Sequence, residues 1–178
     1  GERADLTHLL KKIIQLPGRF RLRLSSLEVT EIPDELIQLA AGTDKICAHF
    51  HIPLQSADDD VLKAMGRWYR FADYEDRVGA VRRLLPDAAV TADVLTGFPT
   101  ETDAAFENTY RRIESLQLSG LHAFPYSSRP GTESADLPSL DRRVIQNRTR
   151  RLIELSDILK SRFHARFAGT TRTVSRFT

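Results

Sequence analysis

Cys47, His49 and His51 alternate through Cys47-Ala48-His49-Phe50-His51, which puts a thiol and two imidazoles on one face if the segment is a β-strand. All three are metal ligands by type. Residues two apart on a strand lie about 7 Å from each other, however, and the outer pair about 13 Å, so one ion at roughly 2.0–2.3 Å from its ligands would need a bulge. The alternatives are interior packing or a hydrogen-bonded substrate contact. The same segment ends His51-Ile52-Pro53-Leu54-Gln55-Ser56. Gln55 offers a donor and an acceptor and Ser56 a hydroxyl, which suits recognition of a ribose or amino-acid moiety better than acid–base work. Equally, the Ser56 hydroxyl can cap a following helix. Asp93 lies in an apolar run, Ala89 to Phe98, where an unpaired carboxylate is costly, so a cation or hydrogen-bond donors must meet it. The run closes on Gly97-Phe98-Pro99-Thr100-Glu101-Thr102. Gly97 permits close backbone approach, and Glu101, at the start of the next helix, is a ligand group or a partner of the helix dipole. His122, Phe124 and Tyr126 share one parity and either flank a nucleobase or fill the core, with Arg129 shortly after them. There is no Walker motif, dinucleotide fingerprint, nucleophile elbow or HExxH motif.

Positioning these groups takes alternating helices and strands, and apolar periodicity predicts them. Leu6, Leu9, Leu10, Ile13 and Ile14 make Asp5 to Leu16 an amphipathic helix stopped by Pro17-Gly18. Phe20 to Ser25 alternates as a half-buried strand, and Pro33 to Ala41 is a short helix with Pro in its first turn. Lys45 to Leu54 is the second strand, followed by helices over Asp58 to Gly66 and Asp73 to Leu85. Ala89 to Phe98 is the third strand, apolar almost throughout and expected at the centre of the sheet, covered on both faces. A helix over Thr102 to Leu118 and a fourth strand over Leu121 to Tyr126 follow. Ser127 to Leu140 is a loop, Asp141 to Phe167 a long helix, and Thr170 to Thr178 the start of a further strand. The fold class is α/β, built from parallel βαβ units whose right-handed crossovers place every strand's C-terminal end on one rim. Four strands cannot close an eight-stranded barrel, so the sheet is an open doubly wound one or part of a larger barrel.

Composition bounds the rest. The 178 residues are 41% hydrophobic and 28% charged, as in an ordinary globular domain. No run approaches the roughly 20 apolar residues of a membrane span, and Gly1-Glu2-Arg3-Ala4-Asp5 lacks the apolar stretch of a signal peptide, so a cytoplasmic address without membrane attachment is expected. Opening on Gly rather than Met fits a piece of something longer or a cleaved tag. One cysteine excludes an internal disulfide framework and cannot supply the several thiolates of an iron–sulfur cluster. Residues 1–140 carry 16 basic and 21 acidic side chains, whereas residues 141–178 carry 10 and 3. That terminal block is a candidate for RNA or a solvated helix face.

Taken in order, Arg23-Leu24-Ser25-Ser26, His51-Ile52-Pro53-Leu54-Gln55-Ser56, Asp93 with Gly97-Phe98-Pro99-Thr100-Glu101-Thr102, and Tyr126-Ser127-Ser128-Arg129-Pro130-Gly131-Thr132 resemble the radical S-adenosylmethionine methylthiotransferases. These enzymes place a methylthio group on tRNA adenosines or on a ribosomal protein. The resemblance runs from about Leu6 to Val174. Ser25-Ser26-Leu27-Glu28 and Leu121-His122-Ala123-Phe124-Pro125-Tyr126 look closest to the branch acting on threonylcarbamoyladenosine in tRNA. Departures are Ala57-Asp58 where Gly-Ser is usual and Thr100 where Gly is usual.

The resemblance implies that residues 1–140 are part of a radical (βα) barrel without its first strand and cluster loop. Residues 141–169 would be a basic helix, and residues 170–178 the start of an RNA-binding β-domain. It implies two iron–sulfur clusters in the complete protein, held by cysteines absent from this chain, with an upstream part of the same polypeptide as partner and the fragment inactive alone. Gln55, Ser56, Asp93, Gly97, Phe98 and Glu101 would face S-adenosylmethionine with Tyr126 close by. Arg129 and the helix arginines Arg148, Arg150 and Arg151 would face tRNA. A non-catalytic RNA-binding βα module is the alternative. A Schiff-base aldolase is disfavoured, since Lys45 and Lys63 are the only lysines between Lys12 and Lys160, and Lys63 falls on a helix.

Overall fold

Residues 5–171 are described by the computed structural model. Among them the periodicities become six α-helices and three strands. In chain order these are α1 (Leu6–Ile14), α2 (Asp34–Ala41), β1 (His49–His51), α3 (Asp59–Ala64), α4 (Phe71–Leu84), β2 (Ala89–Thr96), α5 (Asp103–Leu116), β3 (Gly120–Pro125) and α6 (Arg142–Ala165). Short 3-10 turns cover Val29–Glu31 and Glu133–Asp136. Side-chain caps mark where several helices begin: Asp5 accepts the His8 N–H at 2.8 Å, Thr102 that of Ala105 at 3.1 Å, and Asp141 that of Arg143 at 2.6 Å.

The strands form one parallel sheet in the order β1-β2-β3. Its two faces differ. Phe50, Val90, Ala92 and Val94 are buried in a core shared with Leu36, Ile37, Tyr74, Ile113 and Leu155 from the surrounding helices. The opposite face carries His51 beside Thr91 and Asp93 beside His122 in register, and along β2 its residues are only half-buried. Coverage of β2 on both faces is therefore corrected: the helices take one face, and polar side chains hold the other.

The four-stranded expectation is also corrected. Phe20 to Ser25 makes one parallel bridge, Leu22 with Ile46, instead of a ladder. Its chain turns at Ser26, which has φ +52°, and rejoins only where the Leu27 N–H reaches the His51 carbonyl at 3.0 Å. The second strand shortens to His49–His51 because Pro53 has no N–H to contribute and Gln55 adopts φ +62°. Pairing with β2 resumes as an isolated bridge, Gln55 with Val94.

Helix α6 lies along β3 and buries Leu152, Leu155 and Leu159. It also does the work of a neighbouring strand at one position. The Ser156 hydroxyl accepts the Leu121 N–H at 3.0 Å and donates to the Leu121 carbonyl at 2.8 Å. No helix among the described residues is long and apolar enough to cross a membrane. The strand expected from Thr170 to Thr178 lies, apart from its first two residues, outside the described residues.

Candidate functional site

Parallel strands bring three C-terminal ends to one rim, and a cleft of about 790 Å³ opens there, with Gln55, Asp93, Phe98, Tyr126 and Arg129 in its lining. Gln55 reaches it through a left-handed backbone, a conformation that costs a non-glycine residue on the order of 1 kcal/mol and needs support from its surroundings. β2 supplies that support: the Gln55 N–H donates to the Asp93 carbonyl at 2.8 Å, and the Gln55 carbonyl accepts the Leu95 N–H at 2.8 Å.

Two imidazoles flank the Asp93 carboxylate. His51 Nε2 lies 3.1 Å from Asp93 Oδ2, and His122 Nδ1 lies 3.7 Å from Oδ1. His51 Nδ1 is in turn 2.9 Å from the Thr91 hydroxyl. The carboxylate keeps 25% of its side-chain surface open, so a group in the cleft can still reach it. Deeper on the same face, Arg23 Nη2 lies 3.0 Å from His49 Nε2, while His49 Nδ1 is buried without a partner. Burial, with Arg23 adding to it, holds the His49 imidazole below its ordinary value. Among the described residues no three His, Cys, Asp or Glu side chains converge as a metal site, so Cys47, His49 and His51 do not form one.

The turn after β2 is a structural knot. Gly97 has φ +78°, and its N–H donates to Glu101 Oε2 at 2.7 Å. Glu101 is only 2% exposed, and Arg148 of α6, 4% exposed, binds that same oxygen at 2.7 Å. Arg148 also donates to the Glu101 carbonyl at 2.9 Å and to Asp103 Oδ1 at 2.6 Å. Burial pushes the Glu101 carboxyl up, and the Gly97 N–H and Arg148 only partly pull it back. Phe98 meets Tyr126 edge-on with ring centroids 5.4 Å apart, and the Tyr126 hydroxyl donates to the Ser134 carbonyl at 3.1 Å.

Four of the residues named for ligand or RNA contact have their side chains engaged within the protein. Ser56 is fully buried, bonded to the Thr109 hydroxyl at 3.2 Å and accepting the Asp58 N–H, so it braces the segment behind the cleft. Glu101 faces Arg148 instead of the cleft, and Arg148 faces Glu101 instead of solvent. Arg151 is held bidentately by Glu107, with its guanidinium 4.8 Å from the Phe106 ring centroid. Of the helix arginines named for RNA, Arg150 is the exposed one, its side chain 68% accessible. Met65 and Arg67 also line the cleft, although no motif marked them; a loop returning to the strand-end rim was their one signal.

A Cβ on Gly97 would fall 2.5 Å from Ile145 Cγ1. Gly97→Ala is thus expected to lose about 2–3 kcal/mol, from the left-handed backbone and from overpacking together. Urea unfolding measures it. Adding Ile145→Ala should remove the steric part of the coupling, and strictly additive losses would show that the contact is not limiting.

Residues 2–113 match the Radical SAM superfamily. The chain belongs to that superfamily. It is 42% identical over 132 residues to threonylcarbamoyladenosine tRNA methylthiotransferase MtaB of Thermotoga maritima, covering 74% of this chain and 30% of that protein. It is 37% identical over 157 residues to the tRNA-2-methylthio-N(6)-dimethylallyladenosine synthase of Syntrophotalea carbinolica, covering 88% and 36%. The chain spans about a third of the length of the curated relatives it matches. Among solved structures, coproporphyrinogen III oxidase HemN of Escherichia coli, a radical SAM enzyme, aligns with TM-score 0.66 at 15% identity, over 86% of this chain and 36% of that one. At that identity the likeness concerns the fold alone. The radical SAM sheet accounts for the polar face: in a barrel-type fold the face away from the helices points inward, which is where His51, Asp93 and His122 lie. An iron–sulfur cluster does not fit the residues present, since Cys47 is the single thiol.

Proposed function

We propose that this chain is the cleft-forming part of a tRNA methylthiotransferase of the threonylcarbamoyladenosine branch, and that its strand-end cleft holds S-adenosylmethionine. The observation that carries the reading is the partly open Asp93 carboxylate in that cleft, with Gln55 and the Phe98–Tyr126 pair around it. A carboxylate attracts the cationic sulfonium and ammonium groups of S-adenosylmethionine, the Gln55 amide matches hydroxyl or carboxylate groups, and aromatic edges fit an adenine. His51 and His122 orient Asp93 from either side. The cluster ligands, which these residues do not provide, belong to an upstream part of the same polypeptide. Arg129 at the cleft and Arg150 on α6 attract tRNA phosphates, and the reaction is cytoplasmic.

The test is nucleoside mass spectrometry of tRNA from a bacterial strain lacking its own methylthiotransferases and expressing the complete polypeptide that carries this chain. Methylthiolated threonylcarbamoyladenosine is the expected product. Methylthiolation of dimethylallyladenosine instead would overturn the branch, and no methylthio-nucleoside would overturn the proposal.

A further inference from the structure

The loop between α3 and α4, Gly66-Arg67-Trp68-Tyr69-Arg70, holds the one tryptophan of the chain, and its indole is 98% exposed. Isolated exposed apolar side chains are common, so exposure by itself says little. The way the loop is held says more. Tyr69, the next residue, is buried, and its hydroxyl donates to the Leu54 carbonyl at 3.0 Å, tying the loop to the strand-end rim. On the other side, Arg67 is paired with Glu28 at 3.0 Å, and its N–H donates to the Leu62 carbonyl at 2.9 Å. Just beyond, the Phe71 N–H donates to Asp59 Oδ1 at 2.8 Å. Trp68 is thus displayed from a backbone fixed on both sides. Gly66 and Arg67, which precede it, line the cleft, as does Arg129. Arg70, exposed, adds a second cation to the loop.

An exposed indole on a fixed backbone, beside a cleft and next to Arg70, suits an unpaired nucleobase: the π-face stacks on the indole while neighbouring phosphates meet Arg70 and Arg129. We propose that Trp68 is a stacking platform for an unpaired base of the RNA substrate, next to the nucleoside that enters the cleft. This inference rests on the tRNA reading above and goes further by naming the residue and the mode of contact. A part of the polypeptide outside this chain is the competing occupant of the indole.

With a single tryptophan, the chain reports on its own contact. Its emission is followed while an anticodon stem–loop RNA is added, and again with a fully paired duplex of equal length; anisotropy of end-labelled RNA gives affinity independently. The stem–loop is expected to quench Trp68 and the duplex to leave it nearly unchanged. Trp68→Ala should weaken stem–loop binding by about ten-fold, with Trp68→Phe recovering most of the loss and adenosylmethionine affinity unaltered. Stem–loop binding with unchanged emission and an unaffected Trp68→Ala variant would overturn the platform while leaving the tRNA reading intact. Equal quenching by the duplex would overturn stacking on an unpaired base, and no stem–loop binding by the complete polypeptide would overturn both. In the complete polypeptide with its other tryptophans replaced, Trp68 emission already blue-shifted without RNA would assign the indole to that other part.

Discussion

Replacing Arg148 by Met is expected to destabilise this chain by about 3–5 kcal/mol, because it strands a carboxylate in the interior. Glu101 would retain its bond from the Gly97 N–H and lose its cation, and Asp103 would lose a charged donor. The loss should depend on pH with a definite sign. Burial already raises the Glu101 carboxyl above its ordinary value, and removing Arg148 raises it further. The folded variant then holds its proton more tightly than the unfolded chain does. Its stability from this group is fully present below the unfolded value, roughly 4.3, and is lost as pH rises through the higher folded value. Urea unfolding of both proteins from pH 4 to pH 8 should show the deficit widening with pH. Glu101→Gln combined with Arg148→Met should recover much of it. A small deficit with no pH slope would mean that the pair is hydrated and that α6 is held by its leucines alone.

Asp93→Asn is expected to raise the dissociation constant for S-adenosylmethionine by about one to two powers of ten, the equivalent of one charge-assisted contact of roughly 1.5–3 kcal/mol. Asparagine keeps the shape and Asp93 is partly open, so the sheet should tolerate it. Ser56→Ala is the informative companion. Its hydroxyl is bonded to Thr109 behind the cleft, so stability should fall by about 1 kcal/mol with affinity unchanged. Equilibrium dialysis against labelled S-adenosylmethionine, with iron content of the complete polypeptide as control, separates the two. Unchanged affinity in Asp93→Asn would make the His51–Asp93–His122 group a purely structural network and remove the basis for placing the ligand there.

The two variants also show what can be read from a one-dimensional pattern. β2 was legible because Pro86-Asp87 and Gly97 bound an apolar run of strand length, and the need for donors around Asp93 followed from the cost of a buried carboxylate. Which donors answer it depends on register: the pairing of Asp93 with His122 and of Thr91 with His51 is fixed by neighbouring strands, and parity alone does not supply it. Arg148 misled for a related reason. A basic residue on a basic helix reads as surface, and its acceptor lies 47 positions earlier in a turn whose own Glu101 reads as helix-start electrostatics. Phe20, Leu22 and Leu24 alternate correctly for a strand, but alternation records burial on one side and carries no information about whether a second backbone runs alongside.

The Ser156 contact bears on how these molecules behave toward one another. β3 is the last strand of its sheet, and an open strand edge is a template on which a second chain can add and a third can follow. By occupying both polar groups of Leu121 with one hydroxyl, α6 interrupts that template near its start, and the leucines beneath it hold the helix across the edge. Strand addition at β3 would therefore have to displace the most basic stretch of the chain together with its buried leucines.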